Sequence, residues 1–263
     1  MMATIFGMGF IPEPENPKHW SFEQKLMGAV PHSLVADSPT DIDLSPYSFS
    51  RHNQKSTNSC AAQAIIKALE IKRVIKYGMM AHKDLSTLSP YYLAREQMYP
   101  SMIHSDTGTY ISSVCDVVRK FGACSDLDWP FNPAKVLDSP SWTAMQGAYL
   151  HKISSFYKIT ATGEARLVSI LECLGKGHPV VFGTRVGKDW FRYVKGQVLN
   201  PPLADYVGRH ATVLVGYRDG LFLGENSWGA NWGDNGFYQM TPEYVKWDCS
   251  SDFWAIMAPW EGV

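Results

Sequence analysis

Residues 53–64 read NQKSTNSCAAQA, and the chain continues as IIKALEIKRVIKYG to residue 78. From Cys60 onward, Ala61, Ala64, Ile65, Ala68, Leu69, Ile71, Val74 and Ile75 cover most of a helical surface, so the spacing predicts a largely buried helix. Gly78 is a natural stop, and Asn58 and Ser59 are good N-cap types. Cys60 therefore falls in or beside the first turn, where unpaired N–H groups and the helix dipole favour a thiolate.

Working outward, LSPYYLAREQMY (88–99) and GTYISSVCDVVRKFG (108–122) also read as helices, the second with Ile111, Val114, Val118 and Phe121 on one face. After a loop-like stretch, strand signals dominate at 149–159, 180–186, 211–217, 221–225, 236–240 and 253–257. One helix interrupts them over 163–175, with Thr162 as cap and Glu164 in its first turn. Residues 1–50 hold Pro12, Pro14, Pro17, Pro31, Pro39 and Pro46 without sustained periodicity. They read as an extended arm, anchored by Trp20, Phe22, Leu26, Val30 and Leu34. The expectation is an α+β protein: an arm, a mainly helical lobe over 51–140, a mainly β lobe over 141–263, and a cleft between the lobes.

With 263 residues, 45% of them hydrophobic, the chain can bury a substantial core. Twenty-four basic against 25 acidic residues give no electrostatic reason to expect a nucleic acid or an anionic membrane as partner. No apolar run approaches the roughly 20 residues of a membrane span. The start, MMATIFGMGFIPEPENP, lacks the features of a signal peptide. Five cysteines, at 60, 115, 124, 173 and 249, show neither metal-ligand spacing nor the density of a disulfide scaffold. A reducing, cytoplasmic setting is expected, with Cys115, Cys124, Cys173 and Cys249 as small core residues. His19, His32, His52, His82, His104, His151 and His178 form no ligand pattern, and no metal, nucleotide or other cofactor is expected. The oligomeric state is left open.

Three segments carry chemistry: residues 53–64, HATVLVGY (210–217) and ENSWGANWGDNGFY (225–238). Alone, each has an ordinary use: a buried cysteine, one of eight histidines, a loop amide, a glycine-rich turn. In this order they resemble the papain family of cysteine peptidases. That family carries a glutamine six residues before the nucleophilic cysteine, a histidine opening a strand, and an asparagine in an NSWG segment. Here these are Gln54, Cys60, His210 and Asn226. His210 follows Cys60 by 150 residues, a spacing usual for papain-type enzymes. LSPYYL, the DTG before a helix ending in FG, HPVVFG and SDFWAI extend the likeness toward the bacterial, archaeal and phage branch of the family.

The resemblance implies a two-lobed fold, with a helical lobe, an antiparallel β-barrel-like lobe and the site between them. It also implies a thiol endopeptidase acting on polypeptides. Cys60 would be the nucleophile with its pKa lowered, His210 the general acid and base, and Asn226 the group that orients His210. Gln54 and the Cys60 N–H would hold the oxyanion, and Trp228 would shield the His210–Asn226 bond. Substrate contacts are expected at Gly108, Thr109, Gly183, Ala211 and Trp228.

There are departures. Many relatives have cysteine and tryptophan where this chain has Thr57 and Ala61, so the disulfide bracing that loop is missing. Arg209 replaces an aspartate common in plant enzymes; its cation would lower the pKa of His210, unless it stabilises the thiolate or points into solvent, and a shifted pH profile is expected. Only 59 residues precede Cys60, too few for a full inhibitory prosegment in addition to the usual mature start, although the arm from Phe10 to Leu34 has the reach to cross the cleft. Competing readings are an acyl transferase or deamidase using the same thioester, and a catalytically silent binding or virion-associated scaffold.

Overall fold

The computed structural model describes residues 6–27, 41–202, 204 and 206–259. Among the described residues the α-helices are α1 (Cys60–Tyr77), α2 (Leu88–Met98), α3 (Ile111–Lys120), α4 (Trp142–Met145), α5 (Gly163–Gly175), α6 (Asp189–Arg192) and α7 (Pro242–Lys246). Seven strands are β1 (Ile42–Asp43), β2 (Ile153–Ile159), β3 (Val180–Gly187), β4 (Tyr206–Arg218), β5 (Leu221–Glu225), β6 (Phe237–Met240) and β7 (Ser250–Pro259). The mixed fold of helices and antiparallel sheet agrees with the expectation.

Helix α1 is buried almost all round, which is why its apolar residues are not confined to one stripe. It packs on β4 and β7 as well as on α3, and one apolar cluster runs from α1–α3 into β3, β4 and β7. Gly78 ends the helix with φ 84°, a conformation that costs glycine little. On α3 the buried face is Ile111, Val114 and Val118, whereas Phe121 lies past the last turn and is exposed. Strand β2 starts later than expected because Ala148–His151 forms a 3-10 turn.

The strands lie in the order β2-β7-β3-β4-β5-β6, antiparallel throughout, with β1 paired to β4. The path does not close, so the barrel-like lobe of the sequence reading is an open sheet. Irregular chain covers both edges: Lys158 N–H on β2 donates to Trp20 O, and Leu199 N–H donates to Gln239 O on β6. Edges satisfied in this way no longer demand strand closure. The β3–β4 register sets Gly183 opposite Ala211 and Thr184 opposite His210.

The arm is anchored differently from the expectation. Phe22 is fully buried but Trp20 is 58% exposed; Val30, Leu34 and the side chain of Leu26 lie outside the described residues. A polar clasp holds the segment after Trp20: Glu23 accepts from Ser21 Oγ (2.8 Å), Thr160 N–H (3.1 Å) and Ser169 Oγ (3.0 Å). Among the described residues no helix is long and apolar enough to cross a membrane, and no group of three or more His, Cys, Asp or Glu could hold a metal ion.

Candidate active site

Cys60 opens α1, with Ser59 at the N-cap position. Ser59 does not cap the helix with its side chain; its hydroxyl is bonded to Thr57 Oγ1 at 2.8 Å. All five cysteines are free thiols, and hydrogen bonds brace the loop. Thr57 donates its N–H (3.1 Å) and its hydroxyl (2.8 Å) to Gln54 O, and Gln54 Nε2 donates back to Thr57 O (2.8 Å). Thr57 therefore stands where a bridging cysteine is common and holds the turn without one. Ser227 Oγ donates to Gln54 Oε1 at 2.6 Å, which fixes the side-chain amide and directs its NH2 group.

His210 and Asn226 come from the sheet. His210 enters the buried part of β4, and Asn226 follows the last residue of β5. His210 Nε2 lies 2.7 Å from Asn226 Oδ1, which also accepts the Ser227 N–H at 2.8 Å. An amide oxygen can only accept, so Nε2 carries the proton of the neutral ring and Nδ1 presents a lone pair. Nδ1 is buried and has no hydrogen-bond partner. The Trp228 ring tilts over the imidazole at 4.9 Å, and Trp190 meets it edge-on at 6.0 Å.

Burial pushes the His210 imidazole down to about 4, against the opposing pull of Asn226. The direction agrees with the sequence reading but the cause does not. Arg209 is exposed, since alternation along β4 turns it away from the face that buries His210, and it is not among the groups that shift the ring.

The arm lies through the site. Gly7 O accepts from Gln54 Nε2 at 3.0 Å, Gly7 N–H donates to Lys55 O at 3.1 Å, and Met8 N–H donates to Asn58 Oδ1 at 3.0 Å. The Gly9 and Ala211 N–H groups point at the Cys60 sulfur. Beyond them, Thr109 N–H donates to Gly9 O at 3.1 Å, and Ile11 N–H donates to Thr109 O at 3.3 Å. Gly7 and Gly9 are glycines for a steric reason: a Cβ on either would fall 1.9 Å from a backbone oxygen of the nucleophile loop, that of Thr57 or Asn58. The Phe10 ring fills the space above Gly183, where a Cβ would be 2.0 Å from it. Phe6 stacks on Trp228 with centroids 4.5 Å apart and planes 7° off parallel.

Cys60 is completely buried as a result, and burial pushes its thiol up to about 11. This corrects the expectation of a lowered pKa. The N–H groups around the sulfur act in the expected direction, but desolvation outweighs them and the neutral His210 supplies no cation.

A charged cluster lies next to Asn226. Lys67 Nζ is 2.7 Å and His52 Nε2 3.1 Å from Glu70 Oε2, while Arg51 approaches Glu225, the residue before Asn226, at 3.5 Å. Burial alone would raise the Glu70 carboxyl, but Lys67 and His52 hold it down to about 2.

Of the residues chosen from sequence, Gln54, Gly108, Thr109, Gly183 and Trp228 all lie against the arm, and Ala211 points its N–H at the thiol. Tyr91 aligns that wall, accepting the Gly108 N–H at 3.0 Å and donating to Asp106 Oδ1. Sequence reading missed the blocking residues Phe6, Gly7 and Gly9, the positioning hydroxyl of Ser227, and the aromatic neighbours Trp190 and Phe191. The alternation of Gly7 and Gly9 before Phe10 was the available signal, since glycines so spaced allow close backbone approach along one face of an extended chain.

Comparison with known proteins shows the family. The family model of papain family cysteine proteases matches residues 39–254. An uncharacterized peptidase C1-like protein of Acanthamoeba polyphaga mimivirus is 30% identical over 222 residues, covering 80% of this chain and 70% of the relative. Macrodontain-1 of Ananas macrodontes is 22% identical over 191 residues, 72% of this chain and 81% of the relative. Xylellain, a cysteine protease from Xylella fastidiosa, superposes with a TM-score of 0.81 at 25% identity over 98% of both chains. The bromelain protease from Ananas comosus, solved with the E64 inhibitor, shares the fold with a TM-score of 0.66 at 19% identity, covering 84% of this chain and 98% of that one. From the approach to the nucleophile loop to the last strand of the sheet, this chain belongs to the papain family of cysteine proteases, thiol hydrolases that act on polypeptides.

Proposed function

We propose that the chain is an endopeptidase in which Cys60, His210, Asn226 and Gln54 perform the chemistry, and that residues 6–11 hold it in a closed form. The observation that carries the reading is the His210–Asn226 contact of 2.7 Å, which pins Nε2 and leaves Nδ1 buried and unpartnered. With the arm displaced, water and the helix N-terminus stabilise a Cys60 thiolate beside a protonated His210. The thiolate adds to the scissile carbonyl carbon, forming a C–S bond. Gln54 Nε2 and the Cys60 N–H receive the oxyanion. His210 Nδ1 gives its proton to the departing amine as the C–N bond breaks. Water then attacks the thioester while Nδ1 takes its proton, and the C–S bond breaks to free the acid.

The arm imitates the acyl side of a substrate without being one. Gly7 O sits at the Gln54 donor and Phe10 fills the space over Gly183. Its polarity is wrong for cleavage, because its N-terminal end lies on the Trp228 and His210 side, where a substrate's departing amine must be. No peptide bond of the arm then presents its carbonyl to the thiol and its nitrogen to the imidazole together.

The test is treatment of folded protein with an epoxysuccinyl inhibitor beside a peptide-library digest by wild type and Cys60→Ala. The reading requires an adduct on Cys60 and cleavage, both slow while the arm is docked, and both abolished by the substitution. Products bearing a transferred acyl group or a deamidated side chain, in place of new termini, would show the alternative acyl chemistry.

A further inference from the structure

A groove of about 920 Å³ adjoins the triad, and its lining includes Phe6, Phe191, Trp228 and Trp232. Three of these rings are nearly parallel and mutually adjacent. Phe6 lies 4.5 Å from Trp228 at 7°, Phe191 lies 5.4 Å from Trp228 at 15°, and Phe6 lies 6.2 Å from Phe191 at 19°. Trp228 is in turn fixed by Trp232 at 5.3 Å edge-on, and Trp232 Nε1 donates to Trp190 O at 2.8 Å. The indole is thus held rigid, with an aromatic side chain of the protein's own arm seated on it.

The position of that ring relative to the reacting atoms gives it meaning. Phe6 is one residue from Gly7, whose carbonyl occupies the Gln54 donor. It rests on Trp228, which covers His210. In a substrate, the residue on the imidazole side of the scissile carbonyl is the one that leaves with the amine. The ring therefore occupies the ground of the departing fragment, and its stacking shows that this ground accepts a planar aromatic side chain.

Resting on the peptidase reading above, we propose that Trp228 and Phe191 form an aromatic clamp for the departing fragment, so that this enzyme selects polypeptides with Phe, Tyr or Trp at the first or second residue behind the scissile bond. Phe191 is the specificity-determining residue. Trp228 belongs to the wall around His210, whereas Phe191 comes from the separate short helix α6 and meets both the seated ring and Trp228 without reaching His210 through a ring contact of its own. Offset stacking on a fixed indole favours an aromatic ring over an aliphatic chain of equal bulk, because the ring quadrupoles interact in addition to the area buried.

The experiment is a digest by the full chain of peptides randomised on both sides of the cleaved bond, with the new N-termini identified by mass spectrometry. Wild type, Gly9→Val, Phe191→Leu, Phe191→Tyr and Cys60→Ala are compared. Leucine keeps the apolar bulk and removes the ring, so folding is preserved. The expected result is enrichment of aromatic over alanine at the first or second departing position on the order of tenfold, falling to about threefold or less in Phe191→Leu and returning in Phe191→Tyr. Cys60-dependent cleavage with no aromatic enrichment at either position, or with enrichment undiminished in Phe191→Leu, overturns the clamp and leaves the peptidase reading standing. Absence of any Cys60-dependent cleavage, in the full wild-type chain and in Gly9→Val with its arm loosened alike, overturns both.

Discussion

The side-chain amide of Gln54 donates to the carbonyl of Gly7 at 3.0 Å, so the group proposed to receive a substrate's oxyanion already holds an oxygen of the chain's own arm. The same amide is steered by Ser227 Oγ at 2.6 Å and tied to Thr57 O at 2.8 Å. An amide this well fixed is pre-organised for a developing negative charge. Gln54→Ala should lower kcat on the order of 10²- to 10³-fold, with a smaller change in KM, because the lost hydrogen bond is strongest in the transition state. Steady-state kinetics on a cleaved peptide measures this. A fall in kcat of less than about threefold would place the oxyanion elsewhere.

Gly9 is the point at which the arm is most easily loosened. A Cβ there meets the Asn58 backbone oxygen at 1.9 Å, and the nucleophile loop cannot yield without disturbing Cys60. Overpacking of about 1–3 kcal/mol in the docked arm should raise the rate of Cys60 labelling by an epoxysuccinyl inhibitor by roughly 5- to 150-fold in Gly9→Val. Peptide mapping of the adduct against time gives the rate.

The pH behaviour follows from burial. In the closed form the thiol is pushed up to about 11 and the imidazole down to about 4, so both are uncharged across the neutral range. Opening hydrates both groups, and each shift relaxes toward its ordinary direction. Alkylation of Cys60 in Gly9→Val should therefore show thiolate reactivity at lower pH than in wild type. Arg209→Ala should follow the wild-type pH profile, since Arg209 is exposed and does not shift His210. A displaced profile in that variant would restore the role that sequence reading gave the arginine.

Lys67 and Glu70 make the fourth test, on stability. Their 2.7 Å contact is fully enclosed, and Lys67→Met leaves the Glu70 carboxylate with His52 and the Leu85 N–H. A loss of about 3–5 kcal/mol is expected in urea unfolding, because the remaining charge is buried without its closest partner. Glu70 is held at about 2 against an ordinary 4.5, so its contribution is complete above about pH 4.5 and is lost as pH falls toward 2. Wild type should lose stability through that window, and Glu70→Gln should lose less.

Much of this was legible in the sequence, for identifiable reasons. The apolar pattern of α1 and the Gly163–Gly175 bounds of α5 are written in helical periodicity and end residues. Gln54, Cys60, His210 and Asn226 could be singled out as candidates because the proposed chemistry demands particular residue types within recognisable segments. Burial is a property of the assembled molecule, so the direction of the Cys60 shift could not be read from a helix start. Nor could the docking of residues 6–11, since an extended segment has no internal periodicity and its partners lie far along the chain, as Phe10 against Gly183 and Phe6 against Trp228 show. The open sheet was hidden for a similar reason: its edges are covered by Trp20 and Leu199 from irregular chain.

The most direct test digests one peptide library with three full-length proteins: wild type, Gly9→Val, and Gly9→Val combined with Cys60→Ala. If Cys60 is the nucleophile and residues 6–11 close the cleft, Gly9→Val yields at least several-fold more new termini than wild type, and the double variant yields none. Equal cleavage by wild type and Gly9→Val, or cleavage that persists without the Cys60 thiol, contradicts the account.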